Sequence, residues 1–297
     1  MFGRNHEGMD ELLKKADVAM YQAKTAGRNN ARFFDPAMQA AVAAHEALVR
    51  DLRRGLAMQE FVLHFQVQVG RQGEILGAEA LVRWQHPTRG LVAPGYFIPL
   101  AEESGLILTL GQWVLDSACA QLVEWSAHPV TARWTIAVNV SALQFAQTDF
   151  VVHVTAALRG AGADPRLLKL ELTESMLVGD MEDVIHKMNL IKSQGVGFSL
   201  DDFGTGYSSL SYLKRLPLDQ LKIDQSFVRD VLSDGSDAVI ARTIVALGQN
   251  LGLKVIAEGV ETAAHRDFLV GIGCDGFQGY FFGRPAPAQV LVTQAMG

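Results

Sequence analysis

Residues 61–83, FVLHFQVQVGRQGEILGAEALVR, contain two apolar runs that are separated only by Gly70, Arg71, Gln72 and Gly73. A short connection that contains glycine, placed between two such runs, is typical of a β-hairpin. We therefore expect residues 61–68 and 75–83 to form a pair of antiparallel strands.

Beyond this hairpin, strand-like apolar runs alternate with helical patterns, which predicts βα units and a parallel sheet. Eight such strands in a chain of 297 residues favour an α/β fold, a modified TIM (β/α)8 barrel with an antiparallel first strand. An open doubly wound sheet is the alternative, but the chain has no GxGxxG or GxxxxGK[ST] phosphate turn. The later strands are predicted at 134–140, 167–172, 197–202, 220–223, 254–257 and 276–282, and the helices at 97–104, 109–127, 145–160, 180–194, 207–215, 236–251, 262–271 and 286–295.

The first residues of the chain predict a separate element. Residues 10–27 have helical spacing, with Asp10 as a candidate cap and Gly27 as a candidate stop. We interpret residues 1–37 as the end of a preceding domain plus a linker, and residues 38–297 as the barrel. A helix that docks on the main body is the alternative.

Composition excludes several classes of protein. The chain is 49% hydrophobic and 20% charged, which is typical of a globular enzyme. A net charge of −6 offers no basic face for a nucleic acid polymer. No apolar run predicts membrane contact from this fragment, and the N-terminus has no signal-peptide core, so we expect a cytoplasmic protein whose parent can still be anchored upstream. Cys119 and Cys274 have no CxxC spacing and predict no zinc site or disulfide framework.

Five acidic or amide side chains follow apolar runs, where strands are predicted to end: Glu79, Asn139, Glu171, Asp201 and Asp202. Barrel active sites lie at the carboxyl ends of the strands. Buried carboxylates need a cation or a donor, and an all-oxygen set favours Mg²⁺, Mn²⁺ or Ca²⁺. The adjacent aspartates are expected to point to opposite sides of an extended segment, so that one can bridge two ions. Two ions about 3.5–4 Å apart are the usual device for in-line attack on a phosphodiester.

Further polar residues are placed at the late ends of the predicted strands: Gln66, Lys222, Asp224, Glu258 and Gln278. Lys222 can orient an attacking water or stabilise charge on phosphoryl oxygens; balancing the carboxylates is the alternative role. Glu258 is a candidate base.

Two further carboxylates carry their own predictions. Glu261 is predicted to open the next helix, where capping alone is an alternative explanation. Residues 202–210, DFGTGYSSL, contain Gly204 and Gly206 and predict a mobile loop, which Glu174 is expected to hold by hydrogen bonds.

The motifs GAEALVRWQHP, VNVSALQF, LELTES, DDFGTGYSSL, LKIDQSF, IAEGVET and FQGYFFGRP occur in this order within residues 40–293. The chain thereby resembles the EAL family of cyclic di-GMP phosphodiesterases. The resemblance implies a barrel with an antiparallel first strand and hydrolysis of cyclic di-GMP to linear pGpG. It also implies a homodimer and two Mg²⁺ or Mn²⁺ ions per site, with inhibition by Ca²⁺.

Residue roles follow from the same resemblance. It implies that the metal ligands are Glu79, Asn139, Glu171, Asp201 and Asp202. It implies that the catalytic residues are Lys222 and Glu258 and that Glu174 anchors the loop. The substrate contacts that it implies are Gln66, Leu81, Arg83, Asp224, Glu261 and Gln278. One departure stands in the first strand, where Val67 replaces the family's proline.

The stretch LLKKADVAMYQAKTAGRNNARFF resembles the last helix and strand of a GGDEF diguanylate cyclase domain. The signature loop of that family is absent, so no cyclase activity is expected of this chain. For the barrel itself, a non-catalytic cyclic di-GMP receptor and a different metal-dependent phosphoesterase are the open alternatives.

Overall fold

The computed structural model describes residues 33–177, 180–204 and 213–296, together with Leu13, Lys15, Ala16, Ala19, Met20 and Ala31. The chain forms two compact units, Met1–Gln59 and Glu60–Gly297. In the first unit, helix α1 spans Pro36–Ala57, and the carboxylate of Asp35 caps it by accepting the Ala37 N–H at 3.0 Å. The predicted helix 10–27, with Asp10 and Gly27, lies largely outside the described residues.

The second unit contains one sheet that closes on itself. Its strands run in the order β1-β9-β8-β7-β6-β5-β4-β2, and β1 pairs with β2 to complete a ring of eight, while β3 lies beside β2 outside the ring. The strands are β1 Phe61–Gly70, β2 Ile75–His86, β3 Gly90–Val92, β4 Thr135–Asn139, β5 Leu168–Thr173, β6 Gly197–Phe203, β7 Gln220–Ile223, β8 Lys254–Ala257 and β9 Gly276–Phe277. Closure makes the alternative of an open doubly wound sheet wrong.

Strand β1 is antiparallel to both of its neighbours, β2 and β9, whereas the pairs from β2 through β4 to β9 are parallel. The tight turn after β1 explains this, because the N–H of Gly70 donates to the carbonyl of Glu74 at 2.8 Å and reverses the chain. The hairpin and the modified (β/α)8 barrel predicted from the sequence are both confirmed.

The helices of the second unit alternate with the strands along the chain. They are α2 Ile98–Glu103, α3 Ile107–Ser126, α4 Ala142–Phe145, α5 Phe150–Ala161, α6 Met181–Lys192, α7 Gln225–Arg229, α8 Gly235–Leu251, α9 Ala263–Ile272 and α10 Ala288–Met296. Their apolar faces pack on the outside of the ring in one continuous core. Among the helices described, none is long and apolar enough to span a bilayer.

Two element predictions differ from the structure. The helix predicted at 145–160 is two helices, because Ser141 and Gln144 form a capping box that starts α4 earlier. The strand predicted at 276–282 ends at Phe277, where the chain turns. The helix predicted at 207–215 lies mostly outside the described residues, although Leu213 is helical.

A close approach between β2 and β4 depends on a glycine. Gly77 is buried opposite Thr135, and a Cβ atom at residue 77 would overlap the backbone carbonyl oxygen of Thr135. Backbone cannot move aside as a flexible side chain can, so these two strands meet only because residue 77 lacks a side chain.

We expect Gly77→Ala to lower the free energy of unfolding by about 1–3 kcal/mol, because the added methyl group overpacks the strand pair. Gly160→Ala is the matched control: residue 160 lies in α5 with open space around it, and alanine there stabilises the helix by up to about 1 kcal/mol. Urea denaturation of both variants measures the difference. Equal stability of the two variants would show that β2 and β4 do not need this contact.

Candidate active site

The side chain of Lys222, on β7, is 0% exposed and lies in a ring of carboxylates. Its Nζ atom is 2.5 Å from Glu258, 2.7 Å from Glu171, 3.2 Å from Asp201 and 3.4 Å from Glu79. These carboxylates come from β2, β5, β6 and the residue after β8, so four separate parts of the sequence meet at one ammonium group. The carboxyl ends of parallel strands place them together.

The prediction that Glu79 lies at the end of a strand is wrong. Glu79 lies within β2, which continues to His86, and it is paired with Gln66 on β1. Its carboxylate is nevertheless directed into the cluster: Oε1 accepts from Asn139 Nδ2 at 2.5 Å and Oε2 accepts from Gln278 Nε2 at 2.5 Å. The end of β4 and the turn after β9 therefore meet at this carboxylate.

The prediction that Asp201 and Asp202 point to opposite sides of the strand is wrong. Asp202 has φ +52°, and the pairing of β6 with β7 shifts register between Leu200 and Phe203. This irregularity turns the second side chain, so that carboxylate oxygens of Asp201, Asp202 and Glu258 all lie within 4.8 Å of one another. Aspartate is one of the few residues that adopt a left-handed conformation at modest cost.

The cluster holds more negative charge than one lysine offsets. Burial raises the pKa of Glu171 well above its ordinary value and that of Glu258 to about 8, in both cases against the lowering effect of Lys222. Burial, followed by repulsion from neighbouring carboxylates, raises the pKa of Asp202 to about 6. Burial disfavours the charge on Lys222, but the surrounding carboxylates raise its pKa well above the usual value.

The pKa of Glu79 is shifted in the opposite direction. Burial acts to raise it, but Lys222 and the amide donors of Gln278 and Asn139 together lower it. Glu79 is therefore the carboxylate of the cluster that is best satisfied as an anion.

The residues present fit a divalent cation. Among the described residues, the buried Oε1 atom of Glu171 has no hydrogen-bond donor. Oxygen atoms of Asp201, Asp202 and Glu258 lie within 4.8 Å of one another, and all of these are hard oxygen ligands. A cation would both satisfy the Glu171 oxygen and offset the excess negative charge.

The residues predicted to contact the substrate lie in different surroundings. Gln66 lies in the middle of β1, not at a late strand end, and bonds to the carbonyl of Gly283 at 3.0 Å and to Gln278 at 3.2 Å. Arg83, on β2, is half-buried and close enough to Glu79 for the two charges to interact. Leu81 lines a cavity of about 410 Å³ that reaches from Asn139 to α2 and α3.

Asp224 and Glu261 both lie near helix starts, but only one is a cap. Asp224 caps α7 through the Ser226 N–H at 3.0 Å, and its side chain also bonds to that of Asp202. The prediction that Glu261 opens or caps the next helix is wrong, since Thr262 caps α9 by accepting the His265 N–H at 3.1 Å. Glu261 is exposed just before that cap.

Glu174 lies directly after β5, and its Oε2 accepts the N–H of Gly204 at 3.3 Å. This contact joins the end of β5 to the first residue after β6. The rest of the predicted loop, including Gly206, lies outside the described residues.

Gln68 is a buried member of the site's surroundings that sequence reasoning missed. Its Nε2 donates to Gln278 Oε1 at 3.0 Å. The sequence contained a pattern that could have indicated it: Gln66 and Gln68 alternate with apolar residues along β1, so the two glutamines share one face.

The fold and the cluster define a class: an α/β-barrel protein with a buried carboxylate cluster inside its ring of strands. The profile of the EAL domain family, described as "EAL domain", matches residues 49–285. The chain belongs to the EAL domain family.

Among curated relatives, MucR of Pseudomonas aeruginosa, named a bifunctional diguanylate cyclase/cyclic di-GMP phosphodiesterase, is 48% identical over 286 residues, 95% of this chain and 41% of MucR. NbdA of the same organism, named a cyclic di-GMP phosphodiesterase, is 42% identical over 294 residues, 98% of this chain and 37% of NbdA. The chain thus spans about two fifths of the length of these relatives.

A solved structure described as the PaMucR phosphodiesterase in complex with c-di-GMP is 49% identical and superposes with a TM-score of 0.80. The match covers 82% of this chain and 99% of that structure. EAL phosphodiesterases depend on a metal in general, in agreement with the acidic cluster.

The left-handed backbone of Asp202 can be tested without substrate. We expect Asp202→Asn to keep the free energy of unfolding within about 0.5 kcal/mol of the unchanged protein, because asparagine tolerates this φ. Asp202→Val removes the same charge but is β-branched, and we expect it to be less stable than Asp202→Asn by about 1–3 kcal/mol. Urea denaturation in a chelator measures both, and equal stability of the two variants would contradict the left-handed conformation.

Proposed function

We propose that this chain hydrolyses one phosphodiester bond of cyclic di-GMP, giving linear pGpG, with the help of divalent metal ions. One observation carries the proposal: a buried lysine and five carboxylates from four separate parts of the sequence meet inside the barrel. Two relatives more than 40% identical are named as cyclic di-GMP phosphodiesterases, and the related structure contains that ligand. The acidic cluster supplies the chemistry that such a reaction requires.

The residues that would hold the ions are Glu79, Asn139, Glu171, Asp201 and Asp202. Two Mg²⁺ or Mn²⁺ ions, when bound, supply Lewis-acid stabilisation of the negative charge that develops on the phosphodiester. We expect Ca²⁺ to inhibit, because it prefers about six to eight ligands at longer distances than Mg²⁺ accepts.

Lys222 and Glu258 do the proton chemistry in this proposal. Nζ of Lys222, fixed by carboxylates on several sides, donates hydrogen bonds to the attacking water or to a phosphoryl oxygen. Oε1 of Glu258, 2.5 Å from that ammonium group, accepts the proton that the water releases as it bonds to phosphorus. The bond from phosphorus to the leaving ribose oxygen breaks, and that oxygen takes up a proton in turn. The short contact keeps the donor and the acceptor in one arrangement before substrate arrives.

The remaining polar residues position the substrate. We assign contacts with the dinucleotide to Gln66, Leu81, Arg83, Asp224, Glu261 and Gln278. The cavity of about 410 Å³ beside Leu81 and Asn139 lies in the range of about 300–1,000 Å³ that small-molecule sites occupy. Arg83 supplies positive charge close to Glu79, where a phosphate oxygen would lie.

The organisation of the parent protein is also a proposal. We assign residues 1–37 to the end of a GGDEF-like domain plus a linker, and residues 38–297 to the barrel. The match of 286 residues to MucR, whose name includes diguanylate cyclase, extends upstream of the barrel and supports this assignment. We further propose a cytoplasmic homodimer in which Glu174 holds the loop after β6.

The assignment of Glu79 can be tested directly. We expect the protein to hydrolyse cyclic di-GMP in Mg²⁺ and Glu79→Gln to lower kcat/KM by about 100-fold or more, because the amide weakens both metal binding and charge balance. Glu124→Gln, an exposed glutamate on α3, is the control and should keep full activity. Chromatography of pGpG provides the measurement. Tight binding of cyclic di-GMP by the unchanged protein without turnover would instead support a receptor.

The role of Lys222 predicts a separation of turnover from binding. We expect Lys222→Ala, in protein whose bound divalent cations offset the carboxylates, to lower kcat by about 100–1,000-fold while the Kd for cyclic di-GMP, measured in Ca²⁺, changes by less than about threefold. Lys254→Ala is the matched control, because Lys254 is exposed at the first residue of β8, at the opposite end of that strand from Glu258. A loss in affinity equal to the loss in kcat would assign Lys222 to substrate binding instead.

A further inference from the structure

Three glutamines and one glutamate form a chain of buried hydrogen bonds beside the site, here called the amide chain: Gln68, Gln278, Gln66 and Glu79. Gln68 Nε2 donates to Gln278 Oε1 at 3.0 Å, and Gln278 Nε2 donates to Glu79 Oε2 at 2.5 Å and to Gln66 Oε1 at 3.2 Å. Gln66 Nε2 in turn donates to the carbonyl of Gly283 at 3.0 Å. The chain therefore links β1 to the carboxylate of Glu79 through Gln278.

Gln68 reaches this chain because of its place on β1. It lies opposite Gly77 on β2, two residues from Gln66, and so its side chain shares the face of Gln66. The pairing of β1 with β2 shifts register between Gln68 and Val69. Such irregularities occur near active sites and change the direction of a side chain.

Fold stability alone does not explain a glutamine at this position. Gln68 is 0% exposed, and among the described residues its Oε1 atom has no hydrogen-bond donor. Leaving a buried polar atom unsatisfied costs about 1–3 kcal/mol. An apolar side chain of similar size would avoid that cost but would leave Oε1 of Gln278 without its donor, so the amide of Gln68 is explained by its contact with Gln278.

We propose that Gln68 is a positioning residue for Glu79 and acts through Gln278. The amide of Gln278 has a donor end and an acceptor end, and either can face a neighbour. A donor from Gln68 at the Oε1 atom fixes the orientation in which Nε2 faces the carboxylate of Glu79. The reverse orientation would place two oxygen atoms against each other and turn the carboxylate away from Lys222 and Asn139.

The inference rests on the part of the proposed function that makes Glu79 a metal ligand, and it does not depend on the identity of the substrate. Residues that orient metal ligands by hydrogen bonds typically change metal affinity by about 10–100-fold when they are replaced. Gln68 should therefore affect the affinity for the metal even when no substrate is present.

The test is calorimetric titration of the metal-free full chain with Mn²⁺ in the absence of substrate. Gln68→Met keeps the length of the side chain but has no donor, and we expect it to weaken Mn²⁺ binding about 10-fold. Its melting temperature in a chelator should stay close to that of the unchanged protein, because the change removes the unsatisfied Oε1 of Gln68 but leaves Oε1 of Gln278 without its donor.

A double-mutant cycle shows whether the effect passes through Gln278. In Gln278→Met, the further change Gln68→Met should have almost no effect on Mn²⁺ affinity. Gln220→Met, at a buried glutamine of β7 that bonds to Ser199 and Lys169, is the control for removing a barrel amide and should leave Mn²⁺ affinity unchanged. Additive losses in the cycle, or unchanged affinity in Gln68→Met, would overturn the proposal.

The outcome separates this inference from the proposed reaction. If the unchanged protein binds Mn²⁺ but leaves cyclic di-GMP intact, the reaction is wrong while the cycle still decides the role of Gln68. If the unchanged protein does not bind Mn²⁺, the positioning role is overturned together with the metal site.

Discussion

The contact between the ammonium of Lys222 and its ring of carboxylates is the interaction on which the rest of this barrel depends. Taking a charge out of water costs several kcal/mol, and only close opposite charges offset that cost. Lys222 is therefore stable inside the barrel because Glu171, Glu258, Asp201 and Glu79 surround it. The same carboxylates would repel one another without it.

Charge balance in this ring connects stability with chemistry. One lysine offsets only part of the negative charge, and burial first, then repulsion from neighbouring carboxylates, raises the pKa of Glu171 and Glu258. A buried site whose negative charge is only partly offset binds cations strongly. The free-energy cost of burying the carboxylates therefore contributes to the affinity for the metal. The charge excess and the metal dependence of the family thus have one physical origin.

Much of the fold was predictable because it depends on local patterns. The hairpin at Gly70–Gly73 and the alternation of strands and helices follow from turn residues and periodicity, and they were sufficient to indicate a barrel. The five candidate ligands could be named for a similar reason, since polar residues after apolar runs stand out. The direction of side chains was harder to predict. The direction of the Asp202 side chain depends on a backbone irregularity that is visible only in the register of β6 against β7.

Gln68 shows a second limit of sequence reasoning. Its contact with Gln278 joins residues 210 positions apart, and it exists because β1 is antiparallel to β9 and closes the ring. Long-range pairings of this kind leave little trace in a single sequence, where Gln68 differs from a solvent-facing glutamine only by its apolar neighbours. The prediction for Glu261 was wrong for the opposite reason. The local sequence was compatible with a helix cap at Glu261, but Thr262 caps the helix instead.

The left-handed backbone at Asp202 has a consequence for how proteins of this kind diverge. Asparagine and glycine accept the same conformation, and each is separated from aspartate by a single base change in the genetic code. A duplicated gene can therefore lose a carboxylate at this position while its product still folds. The catalytic centre of such a barrel is easily silenced by drift, which leaves an intact scaffold that can evolve into a sensor.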